Sequence, residues 1–432
     1  MTRSDSTISK RPINYGMTGT LDLLQRKYSG TPLDVSFRDL VGPLPADELT
    51  HGLYPYPARL LRQIPRMLLQ CEQIVGGIER IVDPFCGAGT VLVEAQRAGL
   101  PSSGIEQNPI GALASRVKTT LIDSREFTDL ANEVLQSAKY TRRRASTPRY
   151  LERWYSEEAH SALARLTSTV SQHSGQLADA LFLALALTAR KVANTDRRIP
   201  VPVRPRVPLH FTASDVWSVW INEIGRISQA VRRIGPINER PRVIHADARS
   251  EDAWSRAVDQ ERALIFTSPP YGAAQKYVRS TSLELGWLGH ASDRGTIALE
   301  GGSIGREHLS ASERLLARDH LFGPLVEQAV SAAREASPER GAIYATYFAD
   351  MQRVLGLIGA RGARVVLISG TNTVGKLELD TYSLLGEMLL DNGLKRTLSL
   401  RDEIRGRALM TARRYGTRPA RAEYIEVFER EI

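Results

Sequence analysis

Residues 79–106 read ERIVDPFCGAGTVLVEAQRAGLPSSGIE, and this stretch decides the fold. The apolar residues before Asp83 predict a strand, the Gly-rich turn opens a helix, and a second strand ends at Glu106. Together they form the βαβ unit from which doubly wound sheets are built. Gly87 and Gly89 let a ligand approach the helix N-terminus, and Glu106 is placed to bind ribose hydroxyls. Tight packing in any α/β enzyme would also explain such a turn.

A second informative stretch is TSPPYG at 267–272, which follows the apolar run ALIF. Proline fixes its own backbone and lacks an amide donor, so Pro269 and Pro270 predict a stiff loop that presents carbonyl oxygens. These oxygens and the Ser268 hydroxyl suit the two hydrogens of an amino group on a nucleic-acid base, while Tyr271 suits stacking on that base. Taken alone, the motif is equally typical of a proline-rich strand exit.

The remaining pattern predicts an α/β fold, a doubly wound Rossmann-like sheet with a largely helical insertion. Further strands are expected at 242–248, 362–371 and 422–430, and helices near 312–336 and 381–391. We divide the chain into four parts: an extended N-terminal arm at 1–50, a cofactor-binding half at 51–124, a helical insertion at 125–235 that is the candidate for target recognition, and a target-base half at 236–432.

Composition indicates an anionic partner and a reducing compartment. The 432 residues include 57 Lys plus Arg against 48 Asp plus Glu, a formal net charge of +9. This charge favours nucleic acid, although a general preference for Arg would also produce it. With Cys71 and Cys86 as its two cysteines, the chain carries no disulfide framework and no Cys-based zinc site, and we expect no metal. The absence of a signal-like or membrane-spanning apolar run predicts a cytoplasmic protein.

DPFCGAGT at 83–90 followed far downstream by TSPPY resembles the amino-methyltransferases that act on DNA. In that family the first motif holds S-adenosylmethionine and the later motif holds the target amine. The resemblance extends over most of residues 51–430, since HGLYPYPARL at 51–60 looks like the cofactor-side loop and IHADA at 244–248 looks like the strand that contributes an adenine-binding aspartate.

The resemblance implies two sets of site residues. The first would bind S-adenosylmethionine, with Glu106 on the ribose, Asp247 on the adenine amine and the loop at 51–57 over the methionine end: His51, Tyr54, Pro57, Asp83, Pro84, Phe85, Cys86, Gly87, Gly89, Thr90, Glu106 and Asp247. The second would hold a flipped base: Ser268, Pro269, Pro270 and Tyr271. Each of His51, Tyr54 and Asp247 has an ordinary structural interpretation as a cap or core residue.

The implied reaction is direct transfer of a methyl group from sulfonium to nitrogen. Methylation of a ring carbon would need a Cys nucleophile beside the base, and Cys86 lies in the cofactor turn instead. SPPY with Ser first resembles the cytosine-N4 enzymes more than the adenine-N6 enzymes. However, the cofactor motif precedes the target loop here, whereas many SPPY enzymes have the reverse order, so both bases stay open. The alternatives are an RNA base methyltransferase of the guanosine-N2 type and a binding module without catalysis.

Basic side chains predict where DNA would bind. The candidates are Arg142, Arg143, Arg144, Arg197 and Arg198 in the insertion, with Lys276 and Arg279 after the target loop. Such residues neutralise phosphates and make binding depend steeply on salt, although a solvated helical face is the simpler explanation. A duplex target would have to be extruded from the helix. A restriction endonuclease is a possible companion, encoded by another chain.

Overall fold

The computed structural model describes residues 16–234, 239–272, 277–404 and 421–430. Within these ranges, eight strands form one sheet and two more form a small hairpin. The strands are β1 Leu33–Val35, β2 Arg80–Asp83, β3 Ser102–Glu106, β4 Arg242–His245, β5 Ala263–Thr267, β6 Gly362–Ser369, β7 Asn372–Val374, β8 Leu377–Leu379, β9 Leu394–Glu403 and β10 Ala422–Arg430.

Helices cover both faces of this sheet. They are α1 Met17–Lys27, α2 Phe37–Val41, α3 Gln63–Leu68, α4 Glu72–Val75, α5 Thr90–Arg97, α6 Pro109–Thr119, α7 Ser124–Tyr140, α8 Glu157–Val170, α9 Gln176–Lys191, α10 Ala213–Val231, α11 Glu251–Ala257, α12 Tyr277–Ser280, α13 Ser282–Trp287, α14 Ile297–Gly302, α15 Ala311–Asp319, α16 Pro324–Ala336, α17 Pro338–Arg361 and α18 Thr381–Asp391, with a 3₁₀ turn at Arg149–Trp154. Among the described residues, no helix combines the length and apolar character needed to span a bilayer.

The strand order is β4-β3-β2-β5-β6-β10-β9-β1. The pairs from β4 to β6 are all parallel, and β10 is antiparallel to both of its neighbours. The order therefore runs outward in opposite directions from the β2–β5 pair, which makes that pair the topological switch point of a doubly wound sheet. This arrangement confirms the predicted α/β, Rossmann-like class.

The side chains of β5 pack against helices on both faces of the sheet. Leu264 and Phe266 pack with residues of α1, α3 and α5 on one face, whereas Ile265 packs with residues of α17 on the other. All three side chains are fully buried, as expected for a central parallel strand covered on both sides. The helices α7 to α10 bury a further cluster among themselves and against α6 and α13.

The N-terminal part differs from the extended arm that we expected. Residues 17–41 contain α1, β1 and α2, and Leu24 and Phe37 are buried with the sheet. Strand β1 pairs in parallel with β9 at the edge of the sheet. Because β9 lies far along the chain from β1, the local sequence pattern does not reveal this pairing. The boundaries proposed for the four parts of the chain remain predictions.

Gly89, the residue before α5, packs closely against Ser115 of α6. Gly89 has a φ of 77°, in the left-handed region, and a Cβ at this position would lie 2.8 Å from the Ser115 hydroxyl of α6. Gly99, just after α5, also has a positive φ of 73°, but a Cβ there would have no neighbour within 4 Å. The two glycines therefore share the conformational constraint and differ in the packing constraint.

We expect Gly89→Ala to lower the free energy of unfolding by about 2–4 kcal/mol, since backbone strain and overpacking add. Gly99→Ala is the matched control and should cost only about 1–2 kcal/mol, from strain alone. Urea unfolding of the three proteins measures the difference. Equal losses in both variants would mean that Ser115 moves aside freely and that the close approach imposes no constraint.

Candidate active site

The two loops singled out in the sequence leave the sheet side by side. Residues 84–89 follow β2 and residues 268–272 follow β5, and these strands pair in parallel with Val82 opposite Ile265. Ligands of open α/β sheets bind outside the carboxyl ends of the strands at such a switch point. Pairing between two segments far apart in sequence thus places both motifs at the same edge of the sheet.

Glu106 ends β3 and holds the Gly-rich turn. Its carboxylate accepts hydrogen bonds from the backbone amides of Gly87, at 2.8 Å, and Asn108, at 2.7 Å. Burial raises its pKa to about 7, although the two amides act in the opposite direction. Each carboxylate oxygen has a second lone pair, so the group retains capacity for hydroxyl donors.

Two side chains of α6 donate hydrogen bonds to carbonyl groups of the same turn. The Ser115 hydroxyl donates to the Gly87 carbonyl at 2.8 Å, and the Lys118 ammonium donates to the Ala88 carbonyl at 2.6 Å. Lys118 is fully buried, and burial lowers its pKa to about 7. The turn is therefore pre-formed and does not depend on a ligand for its shape.

The remaining members of the DPFCGAGT motif have distinct surroundings. Asp83 is buried, accepts the Phe85 amide at 3.0 Å, and has its pKa raised to about 7 by burial. Cys86 is also buried, and burial holds the pKa of its thiol well above the usual value. Such a thiol is a poor nucleophile at neutral pH. Pro84 and Thr90 are buried, while Phe85 is half-buried.

An aromatic wall that the sequence did not reveal faces this turn. The Tyr56 hydroxyl donates to Glu106 at 3.5 Å, and a Cβ on Gly87 would lie 3.1 Å from the Tyr56 ring. Tyr277 of α12 stacks on Tyr56, with ring centroids 6.4 Å apart and an interplanar angle of 24°. Tyr56 was visible in the Tyr-Pro loop, but only the fold shows which of its tyrosines faces the turn.

His51 and Tyr54 each place a polar atom against a carboxylate inside the core, and their predicted role at the cofactor stays a prediction. His51 Nε2 lies 2.8 Å from the fully buried Glu94 carboxylate, which also pairs with Arg66, and burial lowers the His51 pKa to about 4. The Tyr54 hydroxyl donates to Glu284 at 3.1 Å. Both residues fasten the loop to neighbouring helices, and half-buried Pro57 lies beyond them.

The loop at 268–272, which we call the target loop after its predicted role, is held in place at Gly272. Pro269 is buried, whereas Ser268, Pro270 and Tyr271 are half-buried. The carbonyl of Gly272 accepts a hydrogen bond from the Tyr344 hydroxyl of α17 at 3.2 Å. Burial raises the pKa of Tyr271, and the nearby Glu423 carboxylate raises it further, so this phenol stays protonated.

Asp247, after β4, is part of a charged cluster. Arg249 binds its carboxylate through two nitrogens, at 2.6 Å and 3.0 Å, and also binds Asp350 at 2.7 Å. These contacts lower the Asp247 pKa despite its partial burial. An adenine amine would therefore share an already paired carboxylate, and this role remains a prediction.

The basic candidates divide into free and paired side chains. Exposed positions are Arg142, Arg143, Arg144, Arg197, Arg198 and Arg279. Among these, Arg198 pairs with Asp196 at 2.6 Å. Lys276 lies outside the described residues. Two further basic residues of the insertion, Arg190 and Lys191, pair with the buried carboxylates of Glu284 and Glu223.

Comparison with known proteins gives partial matches. No protein-family model matches the chain. It is 26% identical over 265 residues to the Type II methyltransferase M.MvaI of Kocuria varians, covering 56% of this chain and 58% of that protein. It is 31% identical over 106 residues to the Type II methyltransferase M.MjaII of Methanocaldococcus jannaschii, covering 24% and 19%. The chain therefore spans little more than half of the first relative and a fifth of the second. An rRNA methyltransferase, aviRa from Streptomyces viridochromogenes, aligns over 91% of this chain and 96% of its own at 10% identity, with a TM-score of only 0.30.

Proposed function

We propose that the protein is an S-adenosylmethionine-dependent methyltransferase that modifies an exocyclic amino group of a DNA base, cytosine N4 in the first instance. The observation that carries this proposal is the meeting of the DPFCGAGT turn and the SPPY loop at the β2–β5 switch point. The names of the two relatives, both Type II methyltransferases, support the same reaction class.

The cofactor end of the cleft fits S-adenosylmethionine. Glu106 keeps acceptor capacity beside the Gly-rich turn, and Tyr56 and Tyr277 add an aromatic surface next to it. We assign these groups to the ribose and adenosyl part, with Pro84, Phe85 and Gly87 beside them. When bound, S-adenosylmethionine supplies an electrophilic methyl group.

The protein's own residues position the amine and exclude other chemistry. Ser268 and the loop carbonyls would accept the two amino hydrogens, which directs the nitrogen lone pair away from the loop and toward the cofactor end. Tyr271, a neutral phenol, would stack on the base. No covalent intermediate is required, and the protonated, buried Cys86 is unsuited to form one.

Serine at the first position of SPPY is the reason for choosing cytosine N4, and adenine N6 and RNA are tested against it. We further propose that a duplex target is flipped into the cleft, that the exposed arginines contact its phosphates, and that an endonuclease made by another gene is the functional companion.

The first experiment measures transfer of labelled methyl groups from S-adenosylmethionine to duplex DNA and to RNA, followed by digestion and identification of the nucleosides by mass. We expect N4-methylcytosine in DNA. Ser268→Ala should lower kcat by about a hundredfold or more, because a misplaced amine loses its approach geometry. Ser303→Ala, on a hydroxyl that donates to the Leu299 carbonyl, is a control that should retain activity.

The products separate the alternatives. N6-methyladenine would keep the reaction class and overturn the choice of base. Label found only in RNA would show that RNA and not DNA is the substrate. Cofactor binding without transfer to either polymer would contradict the enzymatic proposal.

The Glu106 carboxylate makes cofactor binding depend on pH. Because burial raises its pKa to about 7, the group is protonated below that pH and ionised above it, and the ionised form accepts hydroxyl donors better. We expect the affinity for S-adenosylmethionine to rise between pH 6 and pH 8, as measured by calorimetry. Glu106→Gln should bind more weakly with a flatter profile. An unchanged profile in the variant would assign the dependence to Asp83 or Lys118, whose pKa values also lie near 7.

A further inference from the structure

Two tyrosines on the buried side of α17 contact the end of the target loop. Tyr344 and Tyr347 are 2% and 1% exposed, and a Cβ on Gly272 would lie 3.0 Å from a carbon of each ring. The rings meet edge to face, with centroids 6.5 Å apart. Both side chains therefore pack against the Gly272 end of the SPPYG segment.

Their hydroxyls are in different situations. The Tyr344 hydroxyl donates to the Gly272 carbonyl at 3.2 Å and so positions the loop. The Tyr347 hydroxyl is buried and has no hydrogen-bond partner among the described residues. A buried hydroxyl without a partner destabilises a protein, and phenylalanine would give the same packing without that cost. Such a group therefore calls for an explanation beyond the contacts made by the described residues.

The neighbours of Tyr347 place it between the target loop and the aromatic wall. Tyr271 of the loop and Tyr277 of the aromatic wall both interact electrostatically with it. Burial raises the pKa of Tyr347, and the nearby Tyr344 and Tyr277 raise it further. The hydroxyl accordingly remains a neutral donor throughout the pH range in which an enzyme of this kind works.

We propose that the Tyr347 hydroxyl hydrogen-bonds to the edge of the flipped target base and helps to determine which base the cleft accepts. This inference rests on the proposed function. The ring nitrogen beside the exocyclic amino group is an acceptor in both cytosine and adenine, and a phenol can donate to it while the SPPY loop accepts from the amino group. A pocket with a buried polar group discriminates strongly against a base that leaves this group unpaired.

The same contacts argue for the base over the cofactor. Tyr347 packs on Gly272, which ends the target loop, whereas the groups assigned to the cofactor surround Glu106 and the turn after β2. Tyr56 and Tyr277 lie on the path from Glu106 toward Tyr347. A base held by Ser268 and Tyr271 is thus the nearer ligand.

The test compares Tyr347→Phe with Tyr344→Phe, two removals of one hydroxyl on one helix. For Tyr347→Phe we expect an unchanged or higher urea midpoint, unchanged affinity for S-adenosylmethionine, and a fall in kcat/KM for DNA methylation of about tenfold to a hundredfold, since a hydrogen bond to substrate is lost. For Tyr344→Phe we expect a lower urea midpoint, because the Gly272 carbonyl loses its donor.

Three results would overturn the inference. Full methylation by Tyr347→Phe would show that the hydroxyl does not meet the substrate, while leaving the proposed function intact. A lower midpoint for Tyr347→Phe would give the hydroxyl a structural role, and weaker cofactor binding would move it to the cofactor. If the wild-type protein transfers no methyl group to DNA or RNA, the proposed function fails first and the assignment of a base fails with it.

Discussion

The parallel pairing of β2 with β5 is the constraint on which the candidate site depends. Neither the turn at 84–89 nor the loop at 268–272 contains enough groups to bind both a cofactor and an acceptor. Pairing of Val82 with Ile265 aligns the ends of the two strands and brings their loops to one edge. Because the chain diverges to opposite sides beyond this pair, this edge is the place where ligands of open α/β sheets bind.

Glu106 holds the Gly-rich turn in place on one side of the candidate site. Its carboxylate joins the end of β3 to the Gly87 amide, while Ser115 and Lys118 hold the carbonyls of the same turn. The resulting cluster contains a carboxyl group and an amine whose pKa values are both shifted to about 7 by burial. Burying such groups is unfavourable unless each has partners. The backbone of the turn supplies those partners, so the site is rigid before any ligand arrives.

Sequence patterns predicted the parts of the structure that are determined locally. The βαβ unit at 79–106, the strand before SPPY and the helix at 381–391 all carry their signals within a few residues, and α18 has the predicted limits. The 24-residue helix α17 was not anticipated because its apolar residues follow only a weakly amphipathic pattern, and strand β1 was not anticipated because its partner β9 lies far along the chain. The same reason explains His51 and Tyr54. Each stands in a loop that resembles a cofactor loop, but Glu94 and Glu284, distant in sequence, determine where their polar atoms point.

The partners of the polar side chains distinguish residues that hold the fold together from residues that are proposed to bind a ligand. His51, Tyr54, Arg190 and Lys191 each contact a buried carboxylate, so these contacts are already complete in the folded chain. Glu106 has partners and spare acceptor capacity, and Tyr347 has a buried donor without a partner. The first lies at the turn proposed for the cofactor and the second behind the loop proposed for the base, which is the arrangement that the proposed site with two different ligands requires.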